Sequence, residues 1–447
     1  MSRAHALSPW QPPSEPSPAT WEWVACIAVV VMMTGALVAP LFAPEPGVET
    51  PELRMIWLPV YAVIIGLVIR RAGAIAQAWP AVMLAGALAA LAFLSSRWSL
   101  EPDTTVRRSI ALGMSMLFAL YFGAVWRGPV LLRMLCMAFI GMGALSIAVV
   151  FAWPEMGVSQ DANAGTWRGV FTEKNQTGMM MFTGILAGLA LLVSDARSRW
   201  LSLATIAVCL VMLLGTQSKT SLLCLIVGGG LIVGIHALRR AGPALGVILI
   251  WLGVLVVGGL AAFFLLNPDA LFTLLGKDPS LTGRTDIWDA LLRRSAERPL
   301  TGYGYAAFWG KESMPANWVR LETEWAVPSA HQGWLEVLIQ LGYIGVGLVG
   351  VIYAVAVVLA LVRLPTQGIR EGYFGLAFLA AFGVLTLSES VMVLHHNFAW
   401  ALFMAVVAGR FMPVGSPMVE LNRRAQPFPM QSPALVFRSV MPARNTP

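Results

Sequence analysis

Long apolar runs recur through most of this 447-residue chain, and they limit what it can fold into. A helix of about 20 apolar residues spans the hydrocarbon core of a bilayer. Only 12% of the residues are charged, about half the usual share in soluble domains. We therefore predict an all-α polytopic membrane protein with about twelve transmembrane helices. The predicted spans are residues 22–42, 55–71, 76–95, 106–126, 129–152, 175–194, 200–216, 219–238, 243–266, 333–362, 372–389 and 396–412.

Basic residues collect in alternate loops between these spans, and they predict the orientation of the chain. By the positive-inside rule, the loops that carry them and both termini are cytoplasmic. The opposite loops, including a long segment at residues 267–332, then face the periplasm or the cell exterior. The basic residues that define the cytoplasmic set are Arg70, Arg71, Arg127, Arg133, Arg197, Arg199, Arg239, Arg240, Arg363 and Arg370.

The two ends of the chain differ in composition from the rest. Residues 1–20 are rich in proline and residues 413–447 lack hydrophobic periodicity, so we predict both to be disordered and cytoplasmic. Residues 21–412 would form a single transmembrane domain that includes the loop at 267–332. The net charge of +7 reflects the topology and does not indicate a nucleic-acid partner. The four cysteines fall inside predicted spans without a CxxC pair, so neither zinc nor disulfide chemistry is expected.

Basic residues on the external side break the charge rule, which makes them candidates for ligand contacts. The segment TWRGVFTEKNQTGMMM places Arg168, Lys174 and Asn175 at membrane-surface depth before a span. A turn with backbone N–H groups beside Arg and Lys suits an anion. The alternative is that Arg168 and Lys174 only extend toward lipid phosphates, as flanking cations often do.

The long external loop contains an amphipathic pattern at residues 285–297. Such a short helix would lie on the membrane surface and cover a cavity. Arg284 immediately precedes it, at a helix N-terminus suited to an anion. Tyr303 and Tyr305 follow in a glycine-rich turn, where their rings suit either sugar contacts or the interfacial aromatic belt; the belt is the favoured interpretation.

His331 is the histidine best placed to act as a base. Ser329 and Gln332 fit a capping box before an apolar run, which puts His331 in the first turn of the helix. There the helix dipole disfavours an imidazolium, and a general base needs a neutral imidazole. The alternative is a polar residue that only marks the membrane interface. Glu336, one turn further along, is an intramembrane acid and so a functional candidate.

The remaining histidines are less well placed for this role. His5 and His236 fall on the predicted cytoplasmic side. His395 and His396 are external, in the segment SESVMVLHHNF, and are candidates for partners of the base or for plain loop residues.

Four segments together resemble the O-antigen ligase and Wzy-type polysaccharide polymerase family, over about residues 97–412. His331-Gln332 is followed by Gly342 and Gly345 at the spacing of the family's histidine motif, with Gln332 where Asn is commoner. The segment RWSLEPDTTVRRSI resembles the exopolysaccharide polymerases of the family, close to the succinoglycan type. The other two are WRGVFTEKNQTG, and TGRTDIWDALL followed by RPLTGYGYAAFW.

The resemblance implies a GT-C-like helical fold and a metal-independent, inverting glycosyltransferase without a cofactor. The implied substrate is an undecaprenyl-diphosphate-linked oligosaccharide, polymerised into a surface polysaccharide at the periplasmic face of the bacterial inner (cytoplasmic) membrane. His331 matches the family's base, and Arg168 and Arg284 match the arginines that hold the lipid diphosphate. Further candidates for sugar or phosphate contacts are Lys174, Asn175, Arg107, Arg108, Tyr303, Gln332 and Glu336. Candidate partners are a chain-length regulator and other polysaccharide export proteins.

Two other functions remain open. An O-antigen ligase would use the same chemistry but transfer the glycan to the lipid A core of lipopolysaccharide or to another acceptor; the RWSLEPDTTVRRSI segment favours the polymerase. A polysaccharide transporter or flippase is expected to show repeat symmetry and ionisable residues near mid-bilayer. The unusual charges of this sequence instead gather at one membrane face.

Overall fold

The computed structural model describes residues 19–42, 50–160, 163–242, 245 and 284–413. Within these ranges the chain forms seventeen α-helices and no β-strand, apart from an isolated bridge between Val158 and Trp167. Seven of these helices are long and apolar enough to cross a membrane. The prediction of an all-α, multi-pass membrane protein is therefore confirmed.

The helices are numbered in chain order. The first half of the chain contains α1 (Thr20–Thr34), α2 (Val38–Phe42), α3 (Pro51–Arg70), α4 (Ala72–Gln77), α5 (Trp79–Leu94), α6 (Pro102–Val125), α7 (Gly128–Ala152), α8 (Pro154–Gly157), α9 (Lys174–Ser194), α10 (Arg199–Thr216) and α11 (Lys219–Arg240). The second half contains α12 (Arg284–Ser295), α13 (Met314–Glu322), α14 (Gly333–Val362), α15 (Leu364–Gln367), α16 (Phe374–Leu385) and α17 (Phe398–Phe411).

Eleven of the twelve predicted spans coincide with helices of this structure. The apolar parts of α1, α3, α16 and α17 are shorter than 18 residues. The span predicted at residues 243–266 lies outside the described residues, except for residue 245. The same is true of residues 1–18 and 414–447, for which disorder was predicted, and of residues 267–283 of the long loop.

The first predicted span is not one continuous helix. Helix α1 ends at Thr34, because Gly35 adopts a left-handed conformation with φ of 74° and its N–H bonds the carbonyl of Met32. Glycine reaches this conformation without a Cβ clash, so it commonly ends helices. The chain then re-enters a short helix, α2, instead of continuing straight to residue 42.

Helix α9 lies at the centre of the bundle and packs against α7, α10, α11 and α16. Three of its glycines face neighbouring helices: Gly178 lies against Ser221, Gly184 against Cys209 and Gly188 against Ile206. Small residues let helix backbones approach closely, which is how helices in a membrane gain contact area. This packing fixes the N-terminal end of α9, where Lys174 and Asn175 are found.

Helix α14 is broken at Gly342, which has φ of 64° and ψ of −167°. A Cβ at this position would lie 2.2 Å from the backbone carbon of Leu300, so a side chain is excluded by both conformation and space. The break opens two hydrogen bonds that a regular helix would make, from the N–H groups of residues 343 and 344 to the carbonyls of residues 339 and 340.

The long loop that the positive-inside rule predicts to be external, which we call the external loop, replaces those hydrogen bonds with its own backbone. Residues 299–304 run alongside the break and supply two acceptors and two donors. An unpaired backbone group inside a membrane protein costs several kcal/mol, so the loop segment makes the break tolerable. The four bonds are Tyr343 N to Pro299 O (2.8 Å), Ile344 N to Leu300 O (3.3 Å), Tyr303 N to Ile339 O (3.0 Å) and Gly304 N to Gln340 O (3.0 Å).

Candidate functional site

His331 lies directly before α14 and not inside its first turn. Gln332 is the N-cap residue, and its side-chain oxygen accepts a hydrogen bond from the N–H of Leu335. The predicted capping box that begins at Ser329 is therefore wrong, because the amide of Gln332 caps the helix itself. His331 has φ of 48°, a left-handed conformation that few non-glycine residues adopt.

The surroundings of His331 are built from the external loop. Its imidazole is half-buried and stacks on the indole of Trp325. Trp288 of α12 donates its indole N–H to the carbonyl of Ala330, over 3.0 Å. Helix α12, which the sequence predicted at residues 285–297, thus packs directly beside the candidate base.

One segment of the chain joins several of the predicted site residues. Residues Ser388, Glu389 and Ser390, which we call the SES segment, follow α16. The guanidinium of Arg284 donates to the Ser388 carbonyl at 3.0 Å, and the side-chain amide of Asn175 donates to Glu389 Oε1 at 3.1 Å. The backbone N–H of Gln332 donates to Ser390 Oγ at 3.3 Å. The structure thus brings Arg284, Asn175 and the residue next to His331 to the same three residues.

Arg168 occupies a different position from Arg284. Its guanidinium donates to the carbonyls of Met156 (2.9 Å) and Glu155 (3.1 Å), both in the short helix α8. Its own carbonyl accepts a hydrogen bond from Thr177 of α9, at 2.7 Å. Arg168 is therefore linked to the N-terminal turn of α9, where half-buried Lys174 is the first residue. The two arginines bond different backbone segments in this structure.

Arg108 contacts the loop that contains Tyr303, whereas Arg107 contacts its own helix, α6. Arg108 donates to the carbonyl of Ala306 at 2.6 Å, whereas Arg107 is exposed and contacts Thr104. Tyr303 is 3% exposed, and its hydroxyl lies 2.6 Å from Glu297 Oε2. Burial, together with the neighbouring Glu297 carboxylate, raises the pKa of Tyr303. Because Tyr303 and Tyr305 are both buried, the interpretation as an interfacial belt is wrong.

His395 and His396 belong to an aromatic cluster. The ring of His396 stacks on Trp57 with centroids 3.7 Å apart, and its Nε2 lies 2.6 Å from the hydroxyl of Tyr61. His395 Nδ1 lies 3.3 Å from the hydroxyl of Tyr305. These contacts hold the segment before α17 against α3 and against the external loop.

Sequence reasoning missed the SES segment and Trp325 as parts of the site. The signal for the SES segment was three consecutive polar residues in TLSESVM, between two apolar runs. Trp325 carried no sequence signal, because its role depends on how the loop folds back over His331. The SES segment lies nearly sixty residues after His331 in the chain, so only the tertiary fold brings the two together.

The arrangement places a histidine, an arginine, the carboxylate of Glu389 and neutral hydrogen-bonding groups together at one end of α14. An imidazole can accept a proton from a hydroxyl group, and a guanidinium can stabilise a phosphate oxygen. Helix α14 is apolar beyond this end, whereas the external loop lies over it. The chemistry that these groups suit is proton transfer next to an anionic leaving group at a membrane surface.

Comparison with known proteins leads to the same family as the motifs. Residues 204–350 match a sequence profile described as O-antigen ligase, a range that includes Arg284, His331 and Gly342. The chain is also 31% identical over 231 residues to a protein named "Exopolysaccharide production protein ExoQ" from Rhizobium meliloti (strain 1021). That match covers 48% of this chain, and it spans about half (52%) of the relative's length. The resemblance to the O-antigen ligase and Wzy-type polymerase family is thereby confirmed, and the match to the O-antigen ligase profile falls on residues 204–350.

Proposed function

We propose that this protein is a membrane glycosyltransferase that polymerises an exopolysaccharide from undecaprenyl-diphosphate-linked oligosaccharides at the periplasmic face of the inner membrane. The observation that carries this proposal is the convergence on the SES segment. Arg284, Asn175 and the chain next to His331 meet at three adjacent residues, although they come from distant parts of the sequence. A base and a cation that are held by one segment can act on opposite sides of one anomeric carbon, the base on the attacking hydroxyl and the cation on the leaving diphosphate.

In the proposed reaction, an acceptor sugar hydroxyl attacks the anomeric carbon of the donor sugar. The new bond is the acceptor O–C1 bond, and the bond that breaks joins C1 to the diphosphate oxygen. His331 takes the proton of the attacking hydroxyl, and the diphosphate leaves with the bonding electrons. Attack from the face opposite the diphosphate inverts the configuration at C1.

Arginine is suited to the charge that grows on the leaving diphosphate. Arg284 at the start of α12 would bind this diphosphate, assisted by the N-terminal N–H groups of that helix. Interactions that strengthen as negative charge develops lower the barrier more than they stabilise the bound donor. Arg168 is proposed for the same substrate from the side of α9. Its guanidinium now bonds two carbonyls, so donor binding would have to replace at least one of these hydrogen bonds.

The test uses the purified protein in a bilayer mimetic with one lipid-diphosphate-linked oligosaccharide as the only substrate. A product ladder in whole repeat units, absent when His331→Ala replaces the wild type, would support the polymerase. Transfer that occurs only after lipid A core or another acceptor is added would instead identify a ligase, which the description of the matched family favours.

A third outcome would reject both transferases. If the wild-type protein breaks no glycosidic bond under either condition but moves the lipid-linked donor across vesicle membranes, the protein is a transporter. Reconstituted vesicles with the donor on one side measure this directly, and the same preparation serves for the ladder assay.

A further inference from the structure

The carboxylate of Glu336 lies at the centre of a hydrogen-bond network next to His331. The residue is 5% exposed, and both of its oxygens accept hydrogen bonds from other parts of the protein. A buried carboxylate with this many donors around it is held in one orientation. The donors are Trp309 Nε1 (2.8 Å) and Gln340 Nε2 (2.6 Å) to Oε1, and Ala330 N (2.7 Å) and Ser390 Oγ (3.2 Å) to Oε2.

Two of these hydrogen bonds reach the chain on either side of His331. Ala330, the residue before it, donates its backbone N–H directly to Glu336. Gln332, the residue after it, donates its backbone N–H to Ser390, whose hydroxyl bonds the same carboxylate oxygen. One oxygen of Glu336 therefore holds both neighbours of the candidate base.

The conformation of His331 requires such support. A left-handed conformation is unfavourable for a residue with a Cβ, and it persists only where the surrounding structure holds it in place. Ala330 is held by its carbonyl as well as by its N–H, because the indole N–H of Trp288 donates to the Ala330 carbonyl. Without Glu336, the backbone at residues 330–332 would lose the hydrogen bonds that fix the direction of the imidazole.

We infer that Glu336 is a positioning residue for His331, which holds the imidazole toward the acceptor hydroxyl without touching the substrate. This inference rests on the proposed function for the role of His331. It also replaces the expectation that Glu336 contacts a sugar or a phosphate. The carboxylate is buried, and both of its oxygens already bond protein groups.

The first test is the variant Glu336→Gln. Its amide NH₂ cannot accept the hydrogen bonds that one of the two carboxylate oxygens now accepts. Because misplacing a catalytic group by about 1 Å can cost about 100-fold in rate, we expect kcat to fall by roughly 10- to 100-fold. The KM for the lipid-linked donor should stay unchanged, since Glu336 does not touch it. A matched control is Glu22→Gln, which removes another buried carboxylate, paired with Arg70 and Arg71. This control should lower the Tm and leave the kcat of the folded protein unchanged.

A second measurement is independent of turnover. Diethyl pyrocarbonate modifies histidine side chains, and mass spectrometry of the protein in a bilayer mimetic gives the rate at His331. Glu336→Gln should change this rate several-fold, and Glu22→Gln should not. Ser390→Ala removes the hydroxyl that joins Glu336 to Gln332 and leaves the bond from Ala330 to Glu336 in place. It should change the rate in the same direction by less, and it keeps the test available if Glu336→Gln fails to fold.

The outcomes separate the two proposals. An unchanged His331 modification rate in both Glu336→Gln and Ser390→Ala overturns the positioning role, as does wild-type kcat in folded Glu336→Gln. A changed modification rate in a protein that makes no glycosidic product, with or without an added acceptor, supports the positioning of His331 and rejects the proposed function.

Discussion

The imidazole of His331 stacks on the indole of Trp325, with ring centroids 5.7 Å apart and 9° between the ring planes. Trp325 is 45% exposed, so the pair lies at the surface of the external loop, where a saccharide could reach it. Flat aromatic faces also bind the apolar faces of sugar rings. The stacked pair therefore presents the candidate base and an aromatic surface to the same space.

His331→Ala is expected to remove nearly all product formation. A general base contributes about 10²- to 10⁴-fold to the rate. His396 and His395 lie instead beside the hydroxyls of Tyr61 and Tyr305. The variant should still insert and bind donor. Product formation per inserted protein measures the effect, with His236→Ala on α11 as the control. Wild-type turnover in His331→Ala would reject the base assignment.

Arg284→Ala and Arg168→Ala are expected to weaken donor use by roughly 2 to 5 kcal/mol in transition-state terms, because each removes a cation from a developing diphosphate charge. Measured kcat/KM for the lipid-linked donor gives this value. Arg293→Ala is the control, since Arg293 lies on the same helix as Arg284 but is exposed and paired with Glu322. An equal loss in all three variants would mean that the effect is general and not local.

Gly342→Ala is expected to destabilise the protein by more than about 2 kcal/mol. Alanine pays about 1–3 kcal/mol for the left-handed conformation alone, and its Cβ would also collide with the Leu300 backbone. Gly347→Ala, in the same helix, has nothing within 4 Å of the added Cβ and should be neutral or stabilising. Thermal unfolding of both variants in the same detergent decides the matter. Equal Tm values would contradict the break at Gly342.

The contribution of the Arg133–Asp195 ion pair to the stability of the fold is expected to depend on pH. Burial raises the pKa of Asp195, but the hydrogen bonds from Ser198 and Arg133 and the charge of Arg133 outweigh it, so the pKa lies below its ordinary value. The pair therefore stabilises the fold above about pH 4 and loses this contribution as the pH falls through the lowered pKa. Arg133→Gln should lower the Tm at neutral pH, and the difference should shrink in acid. A difference that grows in acid would contradict this sign.

EDTA is expected to leave product formation unchanged. Within the described ranges, no group of three or more His, Cys, Asp or Glu side chains could hold a metal ion. Two arginines would instead stabilise the diphosphate charge. The measurement is the ladder assay with and without chelator. Activity that EDTA removes and a divalent ion restores would reject the metal-independent mechanism.

Periodicity was sufficient to predict most helices, because apolar runs of membrane length have few alternatives. It failed where single residues end or bend a helix, as at Gly35 and Gly342. Both glycines are visible in the sequence, but only tertiary contacts decide whether a glycine continues a helix or breaks it. The bend at Gly342 depends on loop residues 299–304, which lie about forty residues earlier in the chain.

The sequence was sufficient to predict individual residues of the candidate site, but not how they are arranged in space. His331 and Arg284 stand out in sequence, because a histidine and an external arginine beside apolar helices are uncommon. The prediction of a capping box that begins at Ser329 was wrong, because Gln332 caps the helix with its own side chain. The sequence pattern does not distinguish a helix capped by Ser329 from one capped by Gln332. Long-range hydrogen bonds to the SES segment decide the arrangement, and no local pattern encodes them.

The break in α14 means that the external loop is part of the transmembrane architecture. Four backbone hydrogen bonds cross between the two, so α14 reaches its final form only after residues 299–304 have arrived beside it. Because this segment closely follows α12 in the chain, it also connects the break in α14 to the helix that begins with Arg284. An exchange of external loops between relatives would have to transfer the bend and the segment that completes it as one unit.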